Sequence, residues 1–400
     1  MSRLYARTLR HTATFTLTLL AIEFLDEFVF GAREAAWPLI RTDLGLNYAQ
    51  VGLLLGLPSL VSSLVEPFLG ILGDVWKRRV FILGGGMVFA LALLLTALSQ
   101  DFLVLLISFI LFYPASGAFV TLSQATLMDT DPARHEQNMA RWTLAGSLGV
   151  VVGPIALGAA ATLNLGWRGL FFLFAGLTLI PLTAAYRSFG YAQDKFRLAI
   201  GQQETRNTDF KAGVVDALRA LRRGEVLRWL TLLQFSDLML DVLLGFLALY
   251  FVDVVGATPA QAGLAVAVWT GLGVLGNLLL IPLLERVRGL RYLRLSAVVE
   301  LVLFPAFLLA PGFWARLALV ALLGLFNAGW YSILQAQLYS AMPGQSGTVM
   351  TVGNVFGLVG ALVPLGLGLV AERFDLLVTM WLLLLGPLAL LVGIPSSDLT

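Results

Sequence analysis

The sequence predicts an all-α integral membrane protein of twelve transmembrane helices, arranged as two pseudo-symmetric six-helix halves. Three observations carry that reading. Of 400 residues, 58% are hydrophobic and only 12% charged, with a mean hydropathy of +0.87, whereas a soluble domain carries about 25% charged residues. Apolar runs of about twenty residues, the length that crosses roughly 30 Å of hydrocarbon, recur twelve times. The chain also repeats itself at an offset near 211 residues. The 40 glycines and 15 prolines fit the same class, since both are more frequent in membrane helices than in soluble ones. A net charge of +2 is too small to argue for nucleic acid, and the absence of cysteine excludes disulfides, thiolate zinc sites and a cysteine nucleophile.

In chain order, the first run, 12–32, follows Arg3, Arg7 and Arg10 and so resembles a signal peptide in outline. It lacks a small-residue cleavage site, however, and holds Glu23, Asp26 and Glu27. A charged residue at the centre of a lipid-facing helix costs roughly 2.5–3.5 kcal/mol, against about 0.3–0.6 returned by a Leu or Phe. Three acids therefore persist only if they face water, a partner or one another in protonated form. At 100° per residue, 23, 26 and 27 share an arc of about 100°, so one face of this span is acidic. The second run, 48–73, adds Glu66 just before Pro67, and 80–99 is apolar throughout. Run 102–128 holds Tyr113 and Gln124, 140–163 is rich in glycine, and 168–186 completes the first half.

The segment 188–227 links the halves. Within it DFKAGVVDALRALRRG (209–224) sets Val215, Leu218 and Leu221 at helical spacing among basic residues, which predicts a helix lying on the cytoplasmic membrane surface. The second half brings runs 228–252, with Asp237 and Asp241, and 259–284, whose TGLGVLGN has no preceding strand and so is no dinucleotide loop. Run 291–311 holds Glu300, read as a structural partner. Run 313–340 holds Asn327, Trp330, Tyr331 and Gln335, 346–371 holds Asn354, and 375–394 ends the series. Within these limits no Lys or Arg lies well inside any span. Arg141 stands at a border, and Arg33 falls outside the first run. His11 and His135 lie in loops, no phosphate-binding loop is present, and neither a metal site, a cofactor nor an enzyme triad is visible.

Loop charge sets the orientation. Apart from the long central segment, one side carries twelve basic residues and the other five, Arg33, Arg41, Arg168, Arg316 and Arg373. Positive residues stay inside, so both termini are cytoplasmic. The repeat sets TLSQATLMDTDPARHEQNMARWTLAGSLG (121–149) on SILQAQLYSAMPGQSGTVMTVGNVFGLVG (332–360) at a shift of 211, and IEFLDEFVFG (22–31) on SDLMLDVLLG (236–245) at 214. The second match pairs Glu23 with Asp237 and Glu27 with Asp241. Residues 1–187 and 228–400 are thus read as two six-helix halves around the connection 188–227, the sign of a transporter with its site between the halves.

The second span closes on GILGDVWKRR (70–79), which resembles the signature loop of the major facilitator superfamily, Gly-x-x-x-Asp-Arg-x-Gly-Arg-Arg. Gly70, Asp74, Arg78 and Arg79 stand in place, Val75 replaces the first Arg and Lys77 the Gly, and PLLERVRGLR (282–291) is a degenerate second copy. The resemblance implies a cytoplasmic latch at Asp74, weakened by the loss of one donor at Val75. GSLGVVVGPIALG (146–158) is similar to the glycine-proline motif of the superfamily's antiporters through Gly149, Gly153 and Pro154, and the first five spans look loosely like the fosmidomycin-resistance exporters. Many drug antiporters of the superfamily carry an Arg in the fourth span where this chain has Tyr113, so a proton relay here is expected to do without it.

The expected function is therefore secondary active transport, proton-coupled efflux of cationic or amphipathic small molecules by alternating access, in the plasma membrane of a bacterium. Glu23, Asp26, Glu27, Glu66, Asp237 and Asp241 are the expected proton and substrate groups, with Tyr113, Gln124, Asn327, Gln335 and Asn354 as polar lining. Gly70, Asp74, Arg78, Arg79, Gly153 and Pro154 are the expected gating residues. Carboxyls clustered in low dielectric bind protons more strongly than in water, and one that trades a proton for a cation is the simplest antiport device. A divalent-metal exporter, in which Glu23, Asp26 and Asp237 are hard oxygen ligands, and a facilitated importer or lipid transporter are the competing readings. The partners are a small-molecule substrate, protons and the bilayer, and a monomer is expected.

Overall fold

The computed structural model describes residues 2–75, 78–130, 135–200, 219, 221–342 and 346–395, and their side chains outside 2–12, 70–75, 129–130, 135–137, 140, 190–200, 346–351 and 354. All twelve expected spans are helical: α1 Ser2–Leu44, α2 Tyr48–Val75, α3 Arg78–Leu98, α4 Phe102–Thr130, α5 His135–Thr162, α6 Gly166–Ile200, α7 Gly224–Val254, α8 Pro259–Leu284, α9 Gly289–Leu309, α10 Gly312–Ala341, α11 in two pieces, Ser346–Gly360 and Val363–Arg373, and α12 in two pieces, Leu376–Leu382 and Leu385–Gly393. Eleven of them, α2 to α12, are apolar enough over a membrane-crossing length. The exception, α1, has the length but carries Glu23, Asp26 and Glu27 in its middle. The surface helix expected at 209–224 lies outside the described residues, apart from Arg219 and 221–224.

Helix α1 runs twelve residues past the apolar run that marks it in the sequence. Ala32, Glu34, Ala35 and Ala36 are helix formers, and the helix continues past Pro38, which lies inside it, to Leu44, just before Gly45. That glycine, at φ 62°, takes the left-handed conformation, and the Leu46 N–H reaches back to the Arg41 carbonyl at 3.0 Å, the closing bond of a Schellman cap. Other ends are fixed by side chains. Asp101 accepts from the Val104 N–H before α4, Asp375 from that of Val378 before α12, and Thr258 and Gln261 form a reciprocal capping box before α8.

Five helices are interrupted inside the membrane length, α11 at 361–362 and α12 at 383–384 by short turns, and α4, α7 and α10 as follows. In α4 the α-helix passes into a π-helical turn over Gly117–Thr121, just after Pro114. In α7 π turns occupy Leu238–Val242 and Tyr250–Val254. In α10 the helix stops at Phe326, turns through 327–329 with Gly329 at φ 78°, and resumes at Trp330. At the 211-residue shift Ser116 corresponds to Asn327, so α4 and α10 break at one repeat position. Each break also reaches the first helix of its own half: Ser116 Oγ donates to Asp26 at 2.8 Å, and Asn327 Nδ2 to the Met239 carbonyl at 3.0 Å. Interruptions of this kind concentrate at functional sites.

By packing, the chain forms two compact units, 1–33 with 58–207, and 34–57 with 208–400. In the second unit the end of α1 and the start of α2 are clasped to α7 and α11. Arg41 Nη1 and the Tyr48 hydroxyl both reach Asp253 Oδ2, at 2.7 and 2.8 Å, the Tyr48 N–H donates to Glu372 at 2.9 Å, and the Arg41 guanidinium lies 4.2 Å from the Tyr48 ring. Beneath these contacts Gly52 and Gly368 bring α2 and α11 into backbone contact. A Cβ on Gly52 would sit 2.5 Å from the Pro364 carbonyl oxygen, and one on Gly368 2.5 Å from that of Tyr48.

The ion pair is partly exposed, at 26% and 23% for the two side chains, and such pairs contribute about 0.2–1 kcal/mol. Forcing a side chain into a close-packed contact costs about 1–3 kcal/mol. Gly52→Val should therefore lower the Tm of the purified protein more than Arg41→Met does. The reverse order would place the strength of this clasp in its charges.

Candidate functional site

The polar groups of the first unit gather on α1, α2, α4 and α5. The acidic arc of α1 is shared between two neighbours. Asp26, on one edge, faces α4 and accepts from Ser116. Glu23 and Glu27 face α5, where a Cβ on Gly146 would meet Glu23 Oε1 at 2.6 Å and one on Gly149 would meet Glu27 Cβ at 2.9 Å. The glycine-proline stretch is thus a close helix crossing, Gly153 included, since its Cβ would lie 2.7 Å from the Phe28 carbonyl oxygen. Gly146 adds something more specific, room for a carboxyl. Glu23 is only 8% exposed, with Glu27 and Asp26 in electrostatic reach.

Glu66 belongs to the same group. Ser62, one turn earlier on α2, donates to it at 2.7 Å, and its carboxyl lies against Gly117, whose Cβ would be 2.9 Å from Oε1. Asp26 is within electrostatic reach of both Glu66 and Arg33. Arg33, which the run 12–32 leaves out, belongs to the same helix as these acids. Because α1 continues to Leu44, Arg33 is eleven residues from its end and only 2% exposed. Its guanidinium lies 5.0, 5.7 and 5.0 Å from the ring centroids of Phe30, Phe109 and Tyr113. Hydropathy stops at Ala32 because Arg33 and Glu34 lower it, and a window average cannot see that three rings cover the cation. Tyr113, where an Arg was missed, is one of those rings.

In the second unit Asp237 is half-buried at the end of an α-helical stretch and Asp241 is exposed within the π turn. Tyr331, 61% exposed, is within electrostatic reach of both. Trp330, by contrast, is fully buried and donates from Nε1 to Ser296 Oγ at 2.8 Å, so it packs and does not stack on a cation. Asn327 bridges to Met239, and its Oδ1 has no hydrogen-bond partner among the described residues. Gln335 is half-buried, Gln124 donates to Met139 Sδ at 3.5 Å, and the Asn354 side chain lies outside the described residues.

Glu300, expected to be a structural partner, is 0% exposed, and neither carboxyl oxygen finds a hydrogen bond among the described residues. The Tyr292 hydroxyl, within electrostatic reach of Glu300, donates instead to the Ala328 carbonyl at 3.1 Å. Of the expected latch, α2 carries Gly70 and Asp74 as helix to Val75, but their side chains lie outside the described residues, as does Lys77. Arg78 and Arg79 open α3, and Arg79 is engaged by α6, donating to the Tyr186 carbonyl at 3.1 Å with its guanidinium 5.2 Å from that ring. Among the described residues no three His, Cys, Asp or Glu come together as a metal-binding group.

The tight fit at Gly146 is testable. Gly146→Ala would drive a methyl group against Glu23 and is expected to cost about 1–3 kcal/mol. Glu23→Ala added to it should recover most of the loss in Tm. If the double variant is no better than Gly146→Ala, the glycine serves the backbone crossing alone.

A family model described as Major Facilitator Superfamily matches residues 19–365. A chloramphenicol resistance protein of Pseudomonas aeruginosa is 32% identical over 152 residues, 38% of this chain and 36% of that protein. An uncharacterised MFS-type transporter of Yersinia pestis is 28% identical over 261 residues, 63% of this chain and 62% of that one. The uncharacterised MFS-type transporter YfnC of Bacillus subtilis is 24% identical over 392 residues, covering 94% and 91%. The first two matches therefore span less than two thirds of those relatives' lengths. Among solved structures, the nucleoside transporter NupG superposes with a TM-score of 0.75 at 14% identity, covering 95% of this chain and 98% of that one. A bacterial homologue of the human lysosomal transporter Spinster gives 0.69 at 15%, covering 98% of each. At these identities the structures speak to the fold alone. With the model spanning most of its length and the twelve-helix architecture in place, the chain belongs to the Major Facilitator Superfamily.

Proposed function

We propose that the chain is a secondary active transporter of the bacterial plasma membrane, with both termini cytoplasmic, that exports a cationic or amphipathic small molecule in exchange for protons. The observation that carries this reading is Glu23. It is a buried carboxyl in the middle of a 43-residue helix, set beside Glu27 and Asp26, with space kept for it by Gly146. A carboxyl in such surroundings can hold a proton or neutralise a cation, but not both at once, and that exclusion is what couples two fluxes. The repeat gives the second half its own pair, Asp237 and Asp241, with Tyr331 beside them. Efflux as the direction is supported by the similarity to a chloramphenicol resistance protein.

Proteoliposomes with an imposed pH gradient, screened against a panel of organic cations, test the reading. Glu23→Gln keeps the size and hydrogen bonding of the side chain but cannot exchange a proton. It should lose gradient-driven transport while its Tm stays at or above that of the parent, because a neutral side chain avoids an insertion cost of about 2–3 kcal/mol. A lower Tm together with fully coupled transport would make Glu23 a structural residue and overturn the proposal.

A further inference from the structure

We propose that a groove between the start of α7 and the end of α12 is a binding site for an anionic phospholipid, with an acyl chain along its apolar walls and the phosphate at Arg228. The groove is a cavity of about 430 Å³, within the range of small-molecule sites. Leu227, Leu232 and Phe235 of α7 and Ala389 and Val392 of α12 give it apolar walls, and Arg228 is its one charged residue. It stands apart from the acids of α1 and α7 and does not rest on the transport reading. On the orientation proposed above it lies at the cytoplasmic end of the bundle.

Two glycines of α12 fix the walls. A Cβ on Gly386 would lie 2.7 Å from the Phe235 carbonyl oxygen, and one on Gly393 2.5 Å from Leu232 Cδ2, so α12 is held close to α7 at both ends of the lining. In the first unit the corresponding seam, α1 against α6, is filled. There Phe15 and Phe189 pack edge to face with centroids 5.3 Å apart, and both are buried. The difference lies in length: α6 runs on to Ile200, whereas α12 stops at Gly393. Leu227 and Val392 are consequently left exposed, on helices whose surroundings are bilayer. An acyl chain is the apolar material at hand to cover them.

Charge then selects among lipids. Arg219, Arg222, Arg223 and Arg228 stand within ten residues of sequence, with Glu225 the one acid among them, and Glu225 does not line the groove. Arg222, Arg223 and Arg228 are exposed, and their guanidinium groups find no hydrogen-bond or ion-pair partner among the described residues. A guanidinium stays charged and matches a phosphate in a two-pronged hydrogen bond. Basic residues beside a pocket between membrane helices attract anionic headgroups. At the 214-residue shift Arg228 has Thr14 as its counterpart, so the charge, like the open seam, belongs to the second unit alone.

Native mass spectrometry of the full chain in detergent reads the first bound lipid. The protein is titrated with palmitoyl-oleoyl phosphatidylglycerol or with palmitoyl-oleoyl phosphatidylcholine, which share their chains and differ in net charge. The parent should bind phosphatidylglycerol the more tightly. Arg228→Gln should weaken that binding about fivefold, the share of one basic residue near the surface. Arg291→Gln, at an exposed arginine of α9 outside the groove, should leave it unchanged. Ala389→Trp, which fills the groove, should abolish the preference for phosphatidylglycerol.

Should Ala389→Trp fail to fold, Thr231→Met, a smaller filling from the α7 wall, takes its place with the same expected result. Equal binding of the two lipids by the parent, equal losses from Arg228→Gln and Arg291→Gln, or a preference that survives a filled groove would each overturn the proposal. A groove occupied by another part of this chain would leave the parent and the filled variant alike in their response to lipid, which also overturns it.

Discussion

Carrying a carboxyl group into hydrocarbon is the constraint on which the first unit turns. An ionised group there must be paired or wet, and a neutral one must still place its polar atoms. α1 holds three such groups within two turns, and three neighbouring helices are shaped to receive them. α4 presents Ser116 just where it passes into a π turn, α2 presents Glu66 already tied to Ser62, and α5 presents Gly146 in place of any side chain. Had α5 carried a leucine at that position, Glu23 would have no room. Had α1 ended at Ala32, Asp26 would have no buried cation near it.

The duplication explains why the two units solve the problem differently in detail and alike in plan. Both fourth helices break at the same repeat position, Ser116 and Asn327, and both breaks are fastened to the first helix of their half. In the first unit the fastening meets a side-chain carboxyl; in the second it meets a backbone carbonyl in a helix already loosened into π turns. The break point follows the repeat, while the charges around it have diverged, since Arg33 has Leu247 as its counterpart at the 214-residue shift. The clasp of α1 and α2 onto α7 and α11 through Arg41, Tyr48, Asp253 and Glu372 fits a cycle in which helix ends must be held and later released. Its polar contacts are partly exposed, and exposed pairs can be exchanged for water at small cost.

Much of this was legible in the sequence. The span 259–284 matches its helix to the residue and the span 102–128 starts with its helix and ends two residues short of Thr130, because Asp101 and Thr258 cap the chain where the apolar run begins. Acids at 23, 26, 27 and 66 stand out within apolar runs whatever the fold. What escaped was of three kinds. Arg33 was hidden because hydropathy averages composition and is blind to aromatic rings arriving from another helix. The π turns were hidden because they leave no reliable residue signature, although Pro114 beside Gly117, and Gly329 after Asn327, were local hints. The Arg41–Asp253 pair joins residues 212 apart, which no local pattern can reveal. Glu300 was misread because a lone buried carboxyl in sequence says nothing about whether a donor reaches it.

The central claim is that a proton leaves the acids of α1 when a cation arrives. It is tested most directly by proton release from the purified protein in lightly buffered detergent solution, using tetraphenylphosphonium as the cation and a pH indicator as the readout. The account predicts release on addition of the cation by the parent, and none by Glu23→Gln at the same occupancy. Cation binding by the parent with no proton released, or release that is undiminished in Glu23→Gln, would contradict it.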